Sequence, residues 1–503
     1  MIELTGGTLS LAEFAAVAAG GEHVVMTAAA RERVAAARAV IERSVASGSA
    51  VYGVNTGFGN LANVRIADAD LESLQERLVL SHAAGVGEPL PDEVVRGMLL
   101  LRANTLAKGH SGVRPLLIDK LLALLHHDLL PEVPSRGSVG ASGDLAPLAH
   151  LALPLLGRGR VRRSGQFVPA AEALRDAGLA PVRLAPREGL GLVNGTQAMT
   201  SLLALAVIEA RQLVRFADLV GALSTDALRG TDTAFDARIH AVRPHPGQLA
   251  SARNLWRLLQ GSGIRESHRT GDVRVQDPYS IRCMPQVHGA VRDTLADVER
   301  RLLVEMNAAT DNPLVFAAAD EALSGGNFHG EPMALSADFL AIALAELASI
   351  SERRTEKLTN DTFSGLPPFL VANAGLNSGF MMAHVTAAAL VSENKSLAHP
   401  ASVDSIPTSA DKEDHVSMGM WAAIKCREVA ANARQVLAIE LLAAAQGVDL
   451  LRPLRSSEAL EALHATVRRV VAPWHEDREM APDLAAADRL LASGELPGLS
   501  ELE

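Results

Sequence analysis

The sequence predicts a mainly α-helical protein with a smaller N-terminal domain, and three observations support this class. Apolar residues make up 48% of the chain, yet only 3% of residues are aromatic, so Ala, Leu and Val must fill the interior. Ala and Leu favour helices, and small side chains let helix axes approach closely. Several long stretches carry apolar residues every three or four positions. Because 503 residues exceed one ordinary core, we expect two domains, 1–110 and 111–503.

The first predicted domain, residues 1–110, combines short helices with glycine-rich loops. Residues 28–47 have helical periodicity, and Thr27 before them is a plausible N-cap. The loop VYGVNTGFGN follows at residues 51–60, and its three glycines permit the backbone dihedral angles that a mobile active-site loop needs. An amphipathic stretch at residues 70–81 predicts a second helix.

The second predicted domain, residues 111–503, carries the long helices. Thr196 is a plausible N-cap for the first of them, and Gly447 is a natural stop for the last. Helices of this length rarely stand alone, so we expect a bundle that includes neighbours from other subunits. The tail from Gly494 is expected to be loose. The predicted long helices are 197–228, 288–310, 332–358, 379–399 and 416–446.

Charge and cysteine content exclude several functional classes. The net charge of −11 argues against nucleic-acid binding, and two distant cysteines form no disulfide framework or metal-ligand pattern. The N-terminus lacks the features of a signal peptide, and the best membrane candidate, residues 117–130, is interrupted by charged residues and histidines. We therefore expect a cytoplasmic enzyme without a metal. Gly189, Gly191 and Gly195 lack the spacing of a dinucleotide-binding loop.

The segment GSVGASGDLAPLAH, residues 137–150, suggests an internal electrophile. If the backbone bends tightly, the amide nitrogen of Gly143 can attack the carbonyl carbon of Ala141 and close a five-membered ring. Gly143 has no Cβ to obstruct this attack. Loss of one water closes the ring, and loss of a second converts Ser142 to an electrophilic methylidene. The alternative is that this tripeptide is only a flexible turn before a helix that begins near Asp144.

The two tyrosines of the chain, Tyr52 and Tyr279, both lie in glycine- or proline-punctuated segments. Tyrosine usually occurs on half-buried packing surfaces, so this placement favours a chemical role. A tyrosine whose pKa is lowered by nearby positive charge can act as a base.

Several motifs together resemble the ammonia-lyases and aminomutases that carry a 4-methylidene-imidazol-5-one (MIO) group. The resemblance covers most of the chain, from about residue 51 to residue 418. It implies a small N-terminal domain with a long central helical bundle of the fumarase and aspartase type. It also implies a homotetramer with shared active sites and no external cofactor. The motifs are YGVNTGFG, GSVGASGDLAPLAH, GLVNGTQAM, QDPYSIRC, SGGNFHGEP and SLAHPASVDSIPTSADKEDHVSMG.

The resemblance also implies site roles. Ala141, Ser142 and Gly143 would form the MIO group, and Tyr52 would remove the β-proton of the substrate. Asn194 would hydrogen-bond the MIO oxygen. The remaining implied residues are Arg282 for the substrate carboxylate, Tyr279 as a catalytic residue in the same pocket, Gln276 beside it, and Phe328 packed on the ring or substrate.

Substrate choice depends on His82 and Glu413, which are typical of family members that convert L-histidine to trans-urocanate and ammonia. An imidazole ring forms hydrogen bonds with a carboxylate and a histidine, whereas a phenyl ring would leave the carboxylate unpaired. Asp411 and Lys412 stand where the resemblance predicts Asn-Gln, and Lys412 could pair with Glu413.

Three alternatives stay open at this point. The chain could act on tyrosine or phenylalanine, it could be an aminomutase, or it could be a non-catalytic helical binding or structural protein. Whether the amine or the ring of the substrate attacks the MIO group is also open.

Overall fold

The computed structural model of the chain describes residues 1–47, 53–57, 65–272 and 274–503. Helices dominate these residues, which confirms the mainly α-helical class. They are α1 (Leu11–Ala19), α2 (Ala28–Ala46), α3 (Leu71–His82), α4 (Asp92–Ala107), α5 (Pro115–His126), α6 (Leu145–Ala152), α7 (Ala170–Asp176), α8 (Glu188–Val193), α9 (Gln197–Ala227), α10 (Ala237–Ala241), α11 (Pro246–Leu259), α12 (Gly263–Glu266), α13 (Tyr279–Arg282), α14 (Met284–Met306), α15 (Glu331–Thr359), α16 (Asp361–Ser364), α17 (Met381–Leu397), α18 (Gly419–Leu450), α19 (Glu458–Val470) and α20 (Ala481–Ser493).

Short strands supplement the helices and form four small sheets in the described part of the chain. The first pair is parallel, and the other pairings are antiparallel. The sheets contain β1 (Ile2–Leu4) with β2 (Val24–Met26); β3 (Val86–Pro89) with β5 (Pro134–Arg136); β4 (Leu130–Pro131), β6 (Arg160–Arg163) and β7 (Gln166–Pro169); and β8 (Leu314–Phe316) with β9 (Glu321–Leu323).

The chain forms two compact units. The first consists of Met1–Ile208, Glu299–Asp338 and Pro400–Ile424, and its core includes the C-terminal part of α4, which is buried on every side. The second consists of Glu209–Val298, Phe339–His399 and Lys425–Glu503, and its core includes residues 436–448 of α18. The predicted domain boundary near residue 110 stays a prediction.

Local sequence signals predict the N-terminal helices well. Helix α2 covers the predicted stretch 28–47, and the side chain of Thr27 accepts a hydrogen bond from the amide of Ala30 as the expected N-cap. Helix α3 begins one residue after the predicted start at residue 70 and extends one residue beyond the predicted end, to His82. All five predicted long helices are present, as α9, α14, α15, α17 and α18.

The predicted stop at Gly447 is wrong, because α18 continues to Leu450. A Cβ at Gly447 would lie 2.9 Å from the Cβ of Ala227, so the glycine allows close packing inside the second unit. Tertiary contact therefore explains a residue that local reasoning assigns to a helix end.

Thr196 occupies the predicted N-cap position of α9, since its carbonyl accepts from the amide of Thr200 at 3.0 Å, but its side chain does not supply the cap. Its hydroxyl donates to the buried carboxyl of Glu305, 2.6 Å away. The amides of Ala198 and Met199 at the start of α9 donate instead to Oδ2 of Asp144, each at 2.9 Å. The cap of α9 thus comes from a residue 54 positions earlier.

The C-terminal tail is ordered by contacts, contrary to the expectation of a loose segment. Leu496, Leu499 and Leu502 are buried. The carboxylate of Glu503 accepts from Arg253 at 2.6 Å, and its backbone oxygen accepts from Arg292. These contacts anchor the last residues to the second unit.

One helix of the described residues, α15, is long and apolar enough to cross a membrane by length and composition alone. The sequence analysis had placed the best such stretch at residues 117–130. In α15, 72% of the most apolar window is buried within the protein, as in a core helix.

Candidate active site

The turn between β5 and α6 holds Ala141, Ser142 and Gly143 in the first unit. Gly143 has a φ of +75°, and a Cβ there would lie 2.1 Å from the carbonyl oxygen of Gly195. The next amide, that of Asp144, donates to the same oxygen at 2.7 Å. The atoms that a Cβ at Gly143 would meet belong to the backbone of Gly195, which cannot rotate away as a side chain could. Only glycine therefore fits this turn.

Asn194 follows α8 and faces this turn. Its Nδ2 donates to the carbonyl oxygen of Ser142 at 3.0 Å, and its Oδ1 has no hydrogen-bond partner among the described residues. Its own backbone oxygen accepts from Nη1 of Arg102 at 2.8 Å. Arg102 is completely buried and also donates to the carbonyl of Gly191, so it fixes the loop that carries Asn194.

Arg102 is a residue that the sequence analysis missed. It belongs to a buried cluster with Asp311 and Arg187, in which Asp311 lies 3.6 Å from Arg102 and 2.7 Å from Arg187. Burial lowers the pKa of Arg102 to about 10, so the side chain stays a cation at neutral pH. Arg102 is the single charged residue in the mostly apolar stretch 97–107, and that was the available sequence signal.

Asp144 ties the turn to α9. Its Oδ1 accepts from the hydroxyl of Ser138 at 2.9 Å, while Oδ2 accepts from the two amides that begin α9. Burial raises the pKa of this carboxyl to about 6, although its hydrogen bonds oppose the shift. Asp144 therefore holds the turn of residues 141–143 in a fixed position against the start of α9.

Glu413 contacts the turn directly. Its Oε1 accepts from the hydroxyl of Ser142 at 3.0 Å, and its Oε2 accepts from the hydroxyl of Thr408 at 2.8 Å. The backbones of Thr408 and Glu413 also pair, with the amide of Thr408 donating at 3.0 Å. Among the described residues, Glu413 has no ion pair with Lys412, so the carboxylate faces the serine. Thr408 belongs to the same motif as Glu413, but its residue type alone predicts no role in the site.

His82 lies in the last turn of α3. Burial lowers its pKa, although the backbone of Leu78 and the charge of Glu413 oppose this shift. The Ser81 hydroxyl donates to the carbonyl of Leu78, so its oxygen can accept from Nδ1 of His82, 3.1 Å away. His82 is then neutral with Nε2 as a free acceptor.

A cleft that is open to solvent begins at the turn. Phe328 and Glu413 line it together with Ala141 and Ser142, so the structure brings these four predicted residues into one site. The full lining is Ala141, Ser142, Asn312, Ser324, Gly326, Phe328, His329, Lys412, Glu413, Asp414 and His415.

Three other predicted residues in the described part of the chain are not among those that line this cleft. Gln276, Tyr279 and Arg282 belong to the second unit, where the guanidinium of Arg282 lies 4.5 Å from the ring centre of Tyr279. Tyr279 is 69% exposed, and Nε of Arg282 donates to the carbonyl of Asp277 at 3.0 Å. Tyr52, the predicted base, lies outside the described residues.

Comparisons with known proteins identify the family of the chain. The aromatic amino acid lyase family matches residues 9–469. A histidine ammonia-lyase of Deinococcus radiodurans is 56% identical over 97% of this chain and 93% of its own, and one of Anaeromyxobacter sp. is 55% identical over 98% and 99%. The crystal structure of histidine ammonia-lyase from Trypanosoma cruzi has a TM-score of 0.93 and 47% identity, covering 99% of this chain and 95% of its own.

A second solved structure, tyrosine aminomutase from Streptomyces globisporus, has a TM-score of 0.94 and 39% identity, covering 98% of this chain and 97% of its own. The match of family, sequence and fold extends over nearly the whole chain. The chain therefore belongs to the aromatic amino acid lyase family and, as its relatives indicate, is a carbon–nitrogen lyase.

Proposed function

We propose that this chain eliminates ammonia from L-histidine to form trans-urocanate. Relatives named histidine ammonia-lyase, at 55–56% identity over nearly the full length, support this activity. The observation that carries the proposal is the hydrogen bond from Ser142 to Glu413, because it puts a carboxylate beside the reactive turn.

The electrophile in this proposal is an MIO ring made from Ala141, Ser142 and Gly143. The carbonyl oxygen of Ser142 becomes the exocyclic carbonyl oxygen of that ring. This atom already accepts a hydrogen bond from Nδ2 of Asn194. The absence of a Cβ at Gly143 and the tight backbone contact with Gly195 also suit ring closure. When formed, the group supplies an electrophilic methylidene carbon that makes the substrate amine a better leaving group.

Glu413 and His82 would select an imidazole side chain. Loss of the Ser142 hydroxyl as water leaves Oε1 of Glu413 without its donor, so that oxygen is available to an imidazole N–H. His82, kept neutral by burial, offers Nε2 as an alternative acceptor for the same N–H. A phenyl ring has no N–H to give either group, and leaving Oε1 of the carboxylate buried without a donor would cost about 1–3 kcal/mol or more.

The remaining roles follow the family resemblance. Arg282 would bind the substrate carboxylate, with Tyr279 and Gln276 in the same pocket, and Phe328 would pack against the reacting groups. Tyr52 would remove the β-proton. We further propose a cytoplasmic homotetramer that needs no external cofactor.

The first experiment measures the intact mass of the chain and its product from L-histidine. We expect a mass lower than the translated mass by two water molecules, and urocanate as the product. The variant Ser142→Ala should have no mass deficit and no activity. A wild-type chain without the deficit would contradict the electrophile.

The second experiment tests substrate choice with Glu413→Gln. We expect kcat/KM for L-histidine to fall about tenfold to hundredfold, because a charged hydrogen bond is lost. Asp414→Asn is the matched control, since Asp414 lines the same cleft but is exposed. Equal losses in both variants, or cinnamate, coumarate or a β-amino acid as the main wild-type product, would refute the histidine assignment.

A further inference from the structure

A chain of buried charged groups crosses the second unit. Asp218 accepts from Nη2 of Arg292 at 2.6 Å, from Nδ2 of Asn254 at 2.9 Å and from Nδ1 of His288 at 2.8 Å. The side chains of Asp218 and His288 are completely buried. Burial would raise the pKa of Asp218, but Arg292, His288 and Asn254 together lower it below its usual value.

The opposite end of this chain of groups is an ion pair. Arg354 donates to Glu440 through Nε at 2.6 Å and through Nη2 at 2.9 Å, and both side chains are completely buried. The hydroxyls of Ser224 and Ser351 each donate to Glu440 at 2.6 Å. The carboxylate is therefore fully hydrogen-bonded, and only Nη1 of Arg354 points elsewhere.

His288 joins the two ends. Its Nδ1–H donates to Asp218, so its Nε2 accepts, and Nη1 of Arg354 lies 3.4 Å from Nε2. Burial lowers the pKa of His288, which keeps the ring neutral as this arrangement requires. Arg292 and Arg354 balance the charges of Asp218 and Glu440, so each buried charge has a partner of opposite sign.

Nη1 of Arg354 also reaches α13. It donates to the carbonyl oxygen of Ser280 at 3.3 Å. This helix has only four residues; Ser280 and Ile281 are its buried side, while Tyr279 is exposed and stacks with Arg282. A four-residue helix has few hydrogen bonds of its own, so an external donor on its carbonyl contributes substantially to its orientation.

We propose that His288 and Arg354 are positioning residues for substrate binding: they fix α13 through the Ser280 carbonyl and thereby orient Tyr279 and Arg282. This inference rests on the proposed role of Tyr279 and Arg282 in binding the substrate carboxylate. Neither His288 nor Arg354 needs to touch the substrate.

The test is the steady-state kinetics of His288→Leu with L-histidine. Removing the link while leaving both ion pairs should raise KM about tenfold or more, because small displacements of binding groups are costly, with kcat changed by less than about threefold. The two-water mass deficit should remain, since the ring-forming turn belongs to the first unit. His288→Gln keeps a donor and an acceptor, so its KM should lie close to the wild-type value.

His464→Leu is the matched control. His464 is also a buried histidine of the second unit, and it lies 2.7 Å from Asp449 and 3.5 Å from Arg452, but it has no hydrogen bond to α13. An unchanged KM in His288→Leu, or an equal rise in His464→Leu, would overturn the inference. If His288→Leu does not fold, Arg354→Lys carries the same test, because it keeps the charge but loses the planar fork. A wild-type chain without urocanate formation would instead refute the proposed function.

Discussion

Replacing Gly143 by alanine tests whether the close backbone contact between Gly143 and Gly195 is required for formation of the proposed ring. The new Cβ would lie 2.1 Å from the oxygen, 2.4 Å from the carbonyl carbon and 2.9 Å from the Cα of Gly195. Ordinary carbon contacts begin near about 3.5 Å, so one loop must move by about 1 Å or more. That loop is either the one that carries Asn194 and Gly195 or the turn of Ala141, Ser142 and Gly143.

Two costs add in Gly143→Ala. Forcing a φ of +75° on a residue with a Cβ costs about 1–2 kcal/mol, and overpacking against backbone costs about 1–3 kcal/mol more. Gly178→Ala separates the two costs, because Gly178 has a φ of +69° and nothing within 4 Å of an added Cβ. The control should lose only about 1–2 kcal/mol of unfolding free energy.

The assay combines intact mass with urocanate formation. We expect the Gly143→Ala chain to lack most of the two-water deficit and to lose at least about a hundredfold in turnover. Gly178→Ala should keep both the deficit and the wild-type turnover. A fully dehydrated and active Gly143→Ala chain would show that the contact with Gly195 does not control ring closure.

Three further predictions follow from the structure. Asn194→Ala removes the donor on the Ser142 oxygen and should lower turnover about 10²- to 10³-fold; retained turnover would contradict its role. Gly447→Leu should lower the unfolding free energy by about 1–3 kcal/mol through overpacking against Ala227, seen as a lower Tm, and an unchanged Tm would refute this packing. Burial gives Asp144 a pKa of about 6 in the folded chain, against an ordinary value of 3.8, so between these values the folded chain holds a proton that the unfolded chain has lost. Its contribution to the unfolding free energy should therefore fall by about 3 kcal/mol as pH rises from about 4 to about 6, and denaturant titrations of Asp144→Asn should lack this part of the slope.

Helix positions were predictable where the signals are local. Thr27 caps α2 through the residue three positions later, and periodicity locates both α2 and α3. The failures involve partners far away in sequence. The carboxylate of Asp144 replaces the side chain of Thr196 as the cap of α9, and Ala227 explains why Gly447 lies inside a helix. No local pattern encodes either contact.

The candidate site shows the same division. Three separate sequence motifs pointed to Ser142, Asn194 and Glu413 as members of one site. The structure places Ser142 in contact with both of the others, while their chemical roles stay predictions. Thr408 and Arg102 were missed, because each acts through another residue rather than on the turn. Such supporting contacts depend on tertiary packing, which residue type alone does not specify.

The separation of Ser142 and Glu413 along the chain determines when during translation this hydrogen-bonded pair can form. The two residues are 271 positions apart. At about 5–20 residues per second, roughly 15–50 s separate their emergence from the ribosome. During that interval the growing chain carries the tripeptide proposed to form the ring but not the carboxylate that faces it. The complete pair of groups exists only late in translation, when most of the first unit has been made.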